Sequence, residues 1–227
     1  KSKLESPGIK LFNTFIHGLN DILPTLLILG NHDFKQNELE NNIDFLEAFE
    51  KNINTNVKYL KDTGLYKIKN LGIGLFSVKD SLQIGSGFGK NENLPEFPKP
   101  NFDNEVTTTI QLFHGTMCNS KFSNKITTSE GYSWEWLDKG YDCALLGDVH
   151  KRQIFPKRKS GLHAAYSGSI LQQNFGESLL GHGGLLWNIE NNSNIYVKEF
   201  DIFNHYGFVK LIIENKIWYC ENQKLED

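Results

Sequence analysis

Apolar residues near the start of the chain recur with the period of an α-helix and then merge into a continuous run. The segment GIKLFNTFIHGLNDIL follows Ser6 and Pro7, a pair that suits a capped helix start, and Pro24 marks the helix end. Its apolar residues fall on one stripe of period 3.6, and they are Leu11, Phe12, Phe15, Ile16, Leu19, Ile22 and Leu23. The next segment, TLLILG, is typical of a strand buried on both faces of a sheet. The chain thus begins with an amphipathic helix and a core strand.

Helices and strands continue to alternate through the middle of the chain. The pattern predicts a second helix over 43–51 and short strands over 57–60, 65–69 and 73–78. Between the last two strands, KNLG fits a hairpin turn. Residues 80–105 carry GSGFG and LPEFPKP with little periodicity, and they predict a long surface loop, a feature that is usually functional or mobile.

The second half of the chain repeats this arrangement. TTTIQLFHG and YDCALLGDVH are predicted as buried strands, with EGYSWEWLDKG as a short amphipathic helix between them. Further strands are expected over 164–167, 184–189 and 194–200. Strands that alternate with helices indicate an α/β fold.

Composition narrows the class of protein. The 227 residues suffice for one substantial domain, and the formal net charge of −3 provides no global basic field for nucleic acid. The three cysteines lie far apart at positions 118, 143 and 220, which argues against a disulfide framework or a zinc knuckle and fits a reducing compartment. No apolar run approaches the roughly 20 residues of a membrane span. Because the chain lacks an initiator methionine and starts abruptly, we expect a fragment of a longer protein.

Three of the predicted strands end in the same way. LLILGNHD, IQLFHG and CALLGDVH are each an apolar run that stops at histidine, asparagine or aspartate. Taken singly, each ending is more typical of a hydrogen-bonded turn than of a ligand. In open α/β sheets, however, ligands bind beyond the carboxyl ends of the strands. Three such endings with metal-type side chains together predict one metal site.

The side chains at these strand ends indicate the kind of metal chemistry. Imidazole, amide and carboxylate groups without a thiolate suit cations such as Mn²⁺, Fe²⁺ or Zn²⁺. The amide of Asn31 can bind a cation without adding charge, which leaves positive potential for an anionic substrate. His32 would then face the substrate, and Asp33 could hydrogen-bond His32 or brace the loop.

GNHD, the HG after one strand and the GDVH after another resemble the motifs of the calcineurin-like metallophosphoesterases. YDCALLGDVHKRQIF, AAYSGSILQQNFGE and GHGGLLWNIE narrow the resemblance to SbcD-type nuclease subunits of double-strand-break repair, with the versions of phages and large viruses as the nearest in character. The resemblance implies an αββα sandwich whose first strands are missing. It also implies a metallophosphoesterase domain over 1–203 and the start of a C-terminal cap or DNA-binding element over 204–227.

Residue by residue, the resemblance implies Asn31, His114, Asp148 and His150 as metal ligands and His32 as the catalytic imidazole. His32 would stabilise the transition state or protonate the leaving oxygen. Asp148 stands where the family usually has the first histidine of Gly-His-x-His, which changes charge and metal preference more than it abolishes the site. The family's opening Asp-x-His strand and its Gly-Asp motif are not in this sequence. We therefore expect the fragment to be inactive alone and the full-length protein to be active.

The implied activity is hydrolysis of DNA phosphodiesters at a centre of two divalent cations, with Mn²⁺ preferred and Mg²⁺, Fe²⁺ or Zn²⁺ as alternatives. The implied partners are DNA, an SbcC-type coiled-coil ATPase and a second copy of the chain, without a membrane. The expected location is the cytoplasm, or the nucleus or viral factory if the source is a eukaryotic virus. Two other functions stay open: a phosphatase or phosphodiesterase for a small or protein phosphoester, and a metal-poor scaffold.

A basic stretch, HKRQIFPKRK, provides the local positive charge that the whole chain lacks. Its position directly after His150 favours Lys151 and Arg152 as contacts for DNA phosphates, whereas a solvated loop is the simpler explanation for the rest. Trp134 and Trp136 could stack on bases, although anchoring the short helix is the favoured role.

Overall fold

The structure is a computed structural model that describes residues 7–35, 43–44, 46, 56–83, 95–122, 126–191, 194–214, 217–220 and 223–224. The helices described are α1 (Pro7–Ile22), α2 (Val78–Gln83) and α3 (Trp134–Leu137). The strands described are β1 (Thr25–Ile28), β2 (Phe34–Lys35), β3 (Ile43–Asp44), β4 (Val57–Leu60), β5 (Gly64–Ile68), β6 (Leu71–Phe76), β7 (Thr108–His114), β8 (Cys143–Gly147), β9 (Gln153–Ile154), β10 (His163–Tyr166), β11 (Gly183–Asn191), β12 (Asn194–Asp201), β13 (Leu211–Glu214), β14 (Ile217–Cys220) and β15 (Gln223–Lys224). Strands outweigh helices in this mixed α/β fold.

A six-stranded mixed sheet forms the centre of the fold, with the strand order β5-β6-β7-β8-β10-β9. Its four inner strands run parallel, and the edge strands β5 and β9 are antiparallel to their neighbours. The inner strands are near-continuous apolar runs because both faces of the sheet are covered. The α/β class predicted from the sequence is confirmed, whereas the metallophosphoesterase sandwich stays a prediction.

The first face of the central sheet packs against the parallel pair β1–β4. Leu60 of β4 is buried with Ile73, Ile110 and Leu112 of the central sheet, and Leu26 and Ile28 of β1 pack at the margin of this cluster. Trp187 and Ile189 of β11 cover the same cluster. The two sheets are therefore held together by apolar side chains.

The opposite face carries a second, largely aromatic core. Phe76, Phe97, Phe113 and Tyr166 are fully buried there, and α3 covers them. The Ser133 hydroxyl caps α3 by accepting a hydrogen bond from the Trp136 amide. The segment 80–105 was predicted as a surface loop. Its first residues belong to α2, and 84–94 lie outside the described residues. Residues 95–107, which include Phe97, have no regular secondary structure. Phe97 makes this last part a component of the core.

Helix α1 uses only part of its apolar stripe for packing. Ile16 is buried, and Phe12 packs with Leu29, Tyr59 and Val78 against the β1–β4 pair. Leu19 is half-buried, whereas Leu11, Phe15 and Ile22 of the helix and Leu23 after it are exposed. The periodicity thus predicted the helix correctly but did not tell which of its apolar residues would be covered.

The hairpin at KNLG is present, since Ile68 pairs with Leu71 and Lys69 adopts a φ of 54° in the two-residue turn. The helix predicted over 43–51 lies mostly outside the described residues, and its first two residues belong to β3 instead. Strands β11 and β12 form a long antiparallel hairpin, while β13, β14 and β15 form a separate small sheet. The domain boundary after residue 203 stays a prediction. Among the described residues, no helix has the length and apolar character needed to cross a membrane.

Candidate metal centre

The ends of β1, β7 and β8 bring three of the predicted ligands together. His114 is the last residue of β7, and it pairs in register with Gly147, the last residue of β8. Asp148 follows Gly147 directly, and Asn31 lies in the turn after β1. Because β7 and β8 are adjacent and parallel, their polar ends necessarily point to the same edge of the sheet.

The side chains of Asn31 and Asp148 both approach the Nε2 atom of His114. The Oδ1 atom of Asn31 lies 3.2 Å from it, and the Oδ1 atom of Asp148 lies 3.7 Å from it. An amide oxygen and a carboxylate oxygen therefore both lie within 3.7 Å of this imidazole nitrogen. Their role as metal ligands stays a prediction.

Two glycines leave the space that the His114 ring occupies. A Cβ atom on Gly30 would lie 3.0 Å from the His114 Cε1 atom, and a Cβ atom on Gly147 would lie 2.8 Å from its Nδ1 atom. Neither glycine is among the residues with positive φ, so close approach and not backbone conformation explains them. The glycines of GNHD and GDVH thus fix the position of a histidine from a third segment.

Asp148 is held in an uncommon backbone conformation. Its φ is 92°, a left-handed value that costs energy for a side chain with a Cβ atom. The Thr116 hydroxyl donates a hydrogen bond of 2.6 Å to the Oδ2 atom of Asp148. This contact leaves the other carboxylate oxygen directed at His114.

The turn that carries Asn31 and His32 is closed by Asp33. The Oδ2 atom of Asp33 accepts a hydrogen bond of 3.0 Å from the Gly30 amide, and the Asp33 amide donates one of 3.1 Å to the Gly30 carbonyl. Of the two roles considered for Asp33, these contacts favour bracing of the loop. His32 is exposed at the edge of the centre, and its catalytic role stays a prediction.

Electrostatics keep His114 neutral. Burial lowers its pKa below 6.5, the charges of His32 and His150 act in the same direction, and the carboxylates of Asp148 and Asp33 oppose the effect. A neutral imidazole has a lone pair on one ring nitrogen, which is the form that binds a metal. Burial thus favours a neutral imidazole. Because the Asn31 Oδ1 atom, 3.2 Å from Nε2, can only accept a hydrogen bond, Nε2 carries the proton in the free chain, and a cation bound at Nε2 would replace this contact and need the proton on Nδ1.

The donor set fits a divalent cation in part. Among the described residues, no three side chains drawn from histidine, cysteine, aspartate and glutamate are placed to hold a metal ion by themselves. The convergent set has one histidine and one aspartate, and the amide of Asn31 is its third member. Nitrogen and oxygen donors of this kind suit Mn²⁺, Zn²⁺ or Fe²⁺, and further donors would be needed to complete the coordination.

His150, the fourth predicted ligand, follows β8 and makes a contact that the sequence did not reveal. Its Nδ1 atom lies 2.8 Å from the Oε1 atom of Glu177. Glu177 lies in the segment SILQQNFGE, where nothing in the local pattern marks a functional carboxylate. The only signal in the sequence is that this segment belongs to one of the stretches that carry the resemblance.

The two basic residues predicted to contact DNA have different surroundings. The guanidinium of Arg152 is turned inward, and its side chain is only 8% exposed. It pairs with Asp201 at 2.5 Å and with Glu199 at 3.2 Å, and it donates to the carbonyl of Phe200. Arg152 therefore joins the segment after β8 to β12, a geometry that does not favour phosphate binding. Lys151 is partly buried beside it, and its DNA contact stays a prediction.

The contacts of Trp134, Trp136 and Tyr166 are structural. The indole of Trp134 donates to the Cys118 carbonyl, and that of Trp136 donates to the Pro95 carbonyl. Trp136 also packs edge-on against Phe76 and Phe113. Both tryptophans thus anchor α3, the favoured of the two roles. Tyr166 accepts a hydrogen bond from the Met117 amide and donates one to the Gly115 carbonyl, which fixes the segment after His114.

Comparison with known proteins links the chain to two viral sequences, and no protein-family model matches it. The chain is 32% identical over 231 residues to "Uncharacterized protein R555" of Acanthamoeba polyphaga mimivirus, an alignment that covers 96% of this chain and 16% of that protein. It is 25% identical over 207 residues to "Putative phosphoesterase 244L" of Invertebrate iridescent virus 6, with 85% of this chain and 61% of that protein covered. The chain thus spans less than two thirds of either relative.

Proposed function

We propose that the protein is a metal-dependent phosphoesterase whose reaction takes place at the candidate metal centre. The observation that carries the proposal is the convergence of the Asn31 and Asp148 oxygens on the Nε2 atom of His114. The similarity to a viral protein named as a phosphoesterase supports the same class of reaction.

In this proposal Asn31, His114 and Asp148 hold a divalent cation, with Mn²⁺ as the first to test, and His150 contributes a further nitrogen. When bound, such a cation supplies Lewis-acid polarisation of the phosphoryl oxygens. A second cation, as in the two-metal form that the sequence resemblance implies, would need donors beyond these four residues, because each divalent cation takes four to six ligands.

The protein's own groups then divide the remaining work. Asp33 holds the turn after β1 closed, and this keeps Asn31 at the centre. Thr116 fixes the carboxylate of Asp148. His32, exposed beside these residues, donates a proton or a hydrogen bond to the oxygen on which negative charge develops.

In finer detail, we propose DNA as the substrate and an SbcC-type coiled-coil ATPase as the partner. Both rest on the resemblance of GNHD, GDVH and the segments after GDVH to the repair nucleases, and a homodimer has the same basis. A small or protein phosphoester is the second candidate substrate, and a specific observation favours it. Because Asp201 and Glu199 neutralise Arg152, the centre has less positive charge for a polyanion than its sequence suggests.

The test compares a chromogenic phosphodiester, a chromogenic phosphomonoester and linear DNA as substrates of the full-length protein with Mn²⁺. His32→Ala should lower turnover by roughly 10²–10³-fold, the scale of one lost transition-state donor, and leave metal content unchanged. Asn31→Ala and His114→Ala should lower metal content and activity together. His17→Ala, an exposed position on α1, is the matched control.

The results can contradict each part of the proposal separately. Full activity in all three site variants would refute the phosphoesterase centre. Loss of metal in His32→Ala would refute the role of this imidazole as a group that acts on substrate only. Hydrolysis of the small esters without cleavage of DNA would refute the nuclease and leave the phosphoesterase.

A further inference from the structure

The imidazole of His150 has a dedicated carboxylate partner. Its Nδ1 atom lies 2.8 Å from the Oε1 atom of Glu177, while the His150 side chain itself is 43% exposed. A carboxylate accepts hydrogen bonds and cannot donate them when it is ionised, so Nδ1 carries the proton in this pair. The Nε2 atom of His150 is then left with its lone pair.

The carboxylate of Glu177 is itself fixed from two other directions. The Asn174 side-chain amide donates to Oε1 at 2.8 Å, and the Gln173 backbone amide donates to Oε2 at 2.9 Å. The Glu177 side chain is only 10% exposed. An acidic side chain that is so enclosed and so fully hydrogen-bonded differs from an ordinary surface glutamate, because its position is set before any ligand arrives.

The loop that presents Glu177 is anchored in turn to a distant segment. Gln172 is buried, and its side-chain amide donates to the Glu177 carbonyl at 2.9 Å and to the Phe208 carbonyl at 3.2 Å. The Phe208 amide donates back to the Gln172 Oε1 atom at 2.5 Å. The backbone of Glu177 is therefore tied through Gln172 to the segment around Phe208.

We infer that Glu177 is a positioning residue that fixes the ring orientation and the tautomer of His150. Which nitrogen of a histidine is protonated is set by the hydrogen bond that the other nitrogen makes, and carboxylates commonly play this part behind metal-binding histidines. A free histidine side chain favours the proton on Nε2, so the tautomer imposed by Glu177 is the opposite of the default. In this tautomer Nε2 can bind a cation or accept a proton.

The expected effect of Glu177 on metal binding rests on the proposed function, whereas the expected tautomer of His150 does not. Glu177→Ala should return His150 to the default tautomer in the metal-free chain. If the centre binds Mn²⁺, the same substitution should weaken binding by about 10- to 100-fold, the usual effect of removing a partner of a ligating histidine. Asn174→Ala, which removes one donor from the carboxylate, should have a smaller effect in the same direction.

The first measurement is two-dimensional NMR of the full chain with ¹⁵N-labelled histidine, without metal and at alkaline pH. A His150→Gln variant assigns the His150 signals. Wild type should show the proton of His150 on Nδ1, and Glu177→Ala should show it on Nε2. Glu177→Gln, whose amide oxygen can still accept from Nδ1, should largely restore the wild-type pattern. Glu135→Ala, at an exposed glutamate on α3, is the control and should change nothing.

The second measurement is calorimetric titration with Mn²⁺ of the full-length protein and of the same variants made in it. Weaker binding by Glu177→Ala, with the shift of tautomer, would support the inference. An unchanged His150 tautomer in Glu177→Ala would overturn it. If Glu177→Ala does not fold, a proton on Nε2 of His150 in the wild type would overturn it instead. If wild type itself binds no Mn²⁺, the proposed function fails, while the NMR result still decides the role of Glu177.

Discussion

The hydroxyl group of Tyr166 supports the segment that follows His114. Its contacts allow the loss of folding stability on its removal to be worked out. Tyr166 ends β10, where its ring is buried in the aromatic core. The hydroxyl donates to the Gly115 carbonyl at 2.6 Å and accepts from the Met117 amide at 2.9 Å. Burial raises the pKa of the Tyr166 hydroxyl, so that it stays protonated and keeps its proton for Gly115. Both partners lie just after His114.

Replacing Tyr166 by phenylalanine keeps the ring and removes these two hydrogen bonds, together with the interaction of the hydroxyl with the buried Ser120 side chain. Met117 is fully buried, so its amide would be left without a partner or access to water. An orphaned buried donor costs about 1–3 kcal/mol, and the donor lost by the Gly115 carbonyl adds about 1 kcal/mol. We therefore expect Tyr166→Phe to lower the free energy of unfolding by about 2–4 kcal/mol. In a chain of this size that corresponds to a fall in melting temperature of roughly 5–15 °C.

Thermal unfolding followed by circular dichroism measures this effect. Tyr196→Phe is the matched control, because Tyr196 is exposed on β12 and surface substitutions of this kind change stability by about 0.5 kcal/mol or less. Equal melting temperatures for Tyr166→Phe and wild type would refute the reasoning, since a water molecule or a local shift would then be satisfying the Met117 amide at no cost. Loss of Mn²⁺ affinity beyond the loss of stability would indicate that the hydroxyl also sets the position of His114.

Three further perturbations test the centre itself. Asp148→His should retain activity in the full-length protein but shift preference from hard cations towards softer ones, and an unchanged metal profile would exclude Asp148 as a ligand. Gly147→Ala should displace the His114 ring, because the new Cβ atom would lie 2.8 Å from its Nδ1 atom. This displacement should lower Mn²⁺ affinity about 10-fold or more. Gly64→Ala is the control, because a Cβ atom there meets nothing within 4 Å, and this variant should bind Mn²⁺ as wild type does. Burial lowers the pKa of His114 below 6.5 in the folded chain. As the pH drops below 6.5, the unfolded chain therefore takes up a proton that the folded chain does not. The free energy of unfolding should be highest above pH 6.5 and fall below it. Urea unfolding with a chelator present should show a flatter pH dependence for His114→Gln, and an identical slope would contradict this assignment.

The strand endings could be predicted because they combine two local signals. An apolar run followed at once by a polar turn marks the end of a buried strand, and in β7 and β8 this placed His114 and Asp148 correctly at the ends of strands. Their proximity then followed from the pairing of parallel neighbours. The contact of Asn31 with His114 needed more than local signals, because β1 belongs to a different sheet.

Contacts between residues far apart in the chain explain what the sequence did not show. The charge of Arg152 and its place after His150 suggested a phosphate contact, yet Glu199 and Asp201, nearly 50 residues later, occupy its guanidinium. Phe97 lies in a stretch without periodicity, and its burial depends on Trp136 and Phe113. Neither set of contacts can be recognised from the residues that neighbour Arg152 or Phe97 in the sequence.

The position of the candidate centre between two sheets has a consequence for its thermodynamics. Asn31 follows a strand of the β1–β4 pair, whereas His114 and Asp148 end strands of the central sheet. The contact between Asn31 and His114 joins positions 83 residues apart, and the unfolded chain cannot hold them together without a large loss of entropy. A cation held by all three would bind the folded chain and scarcely the unfolded one. The attachment of one sheet to the other would then strengthen with the logarithm of the free metal concentration.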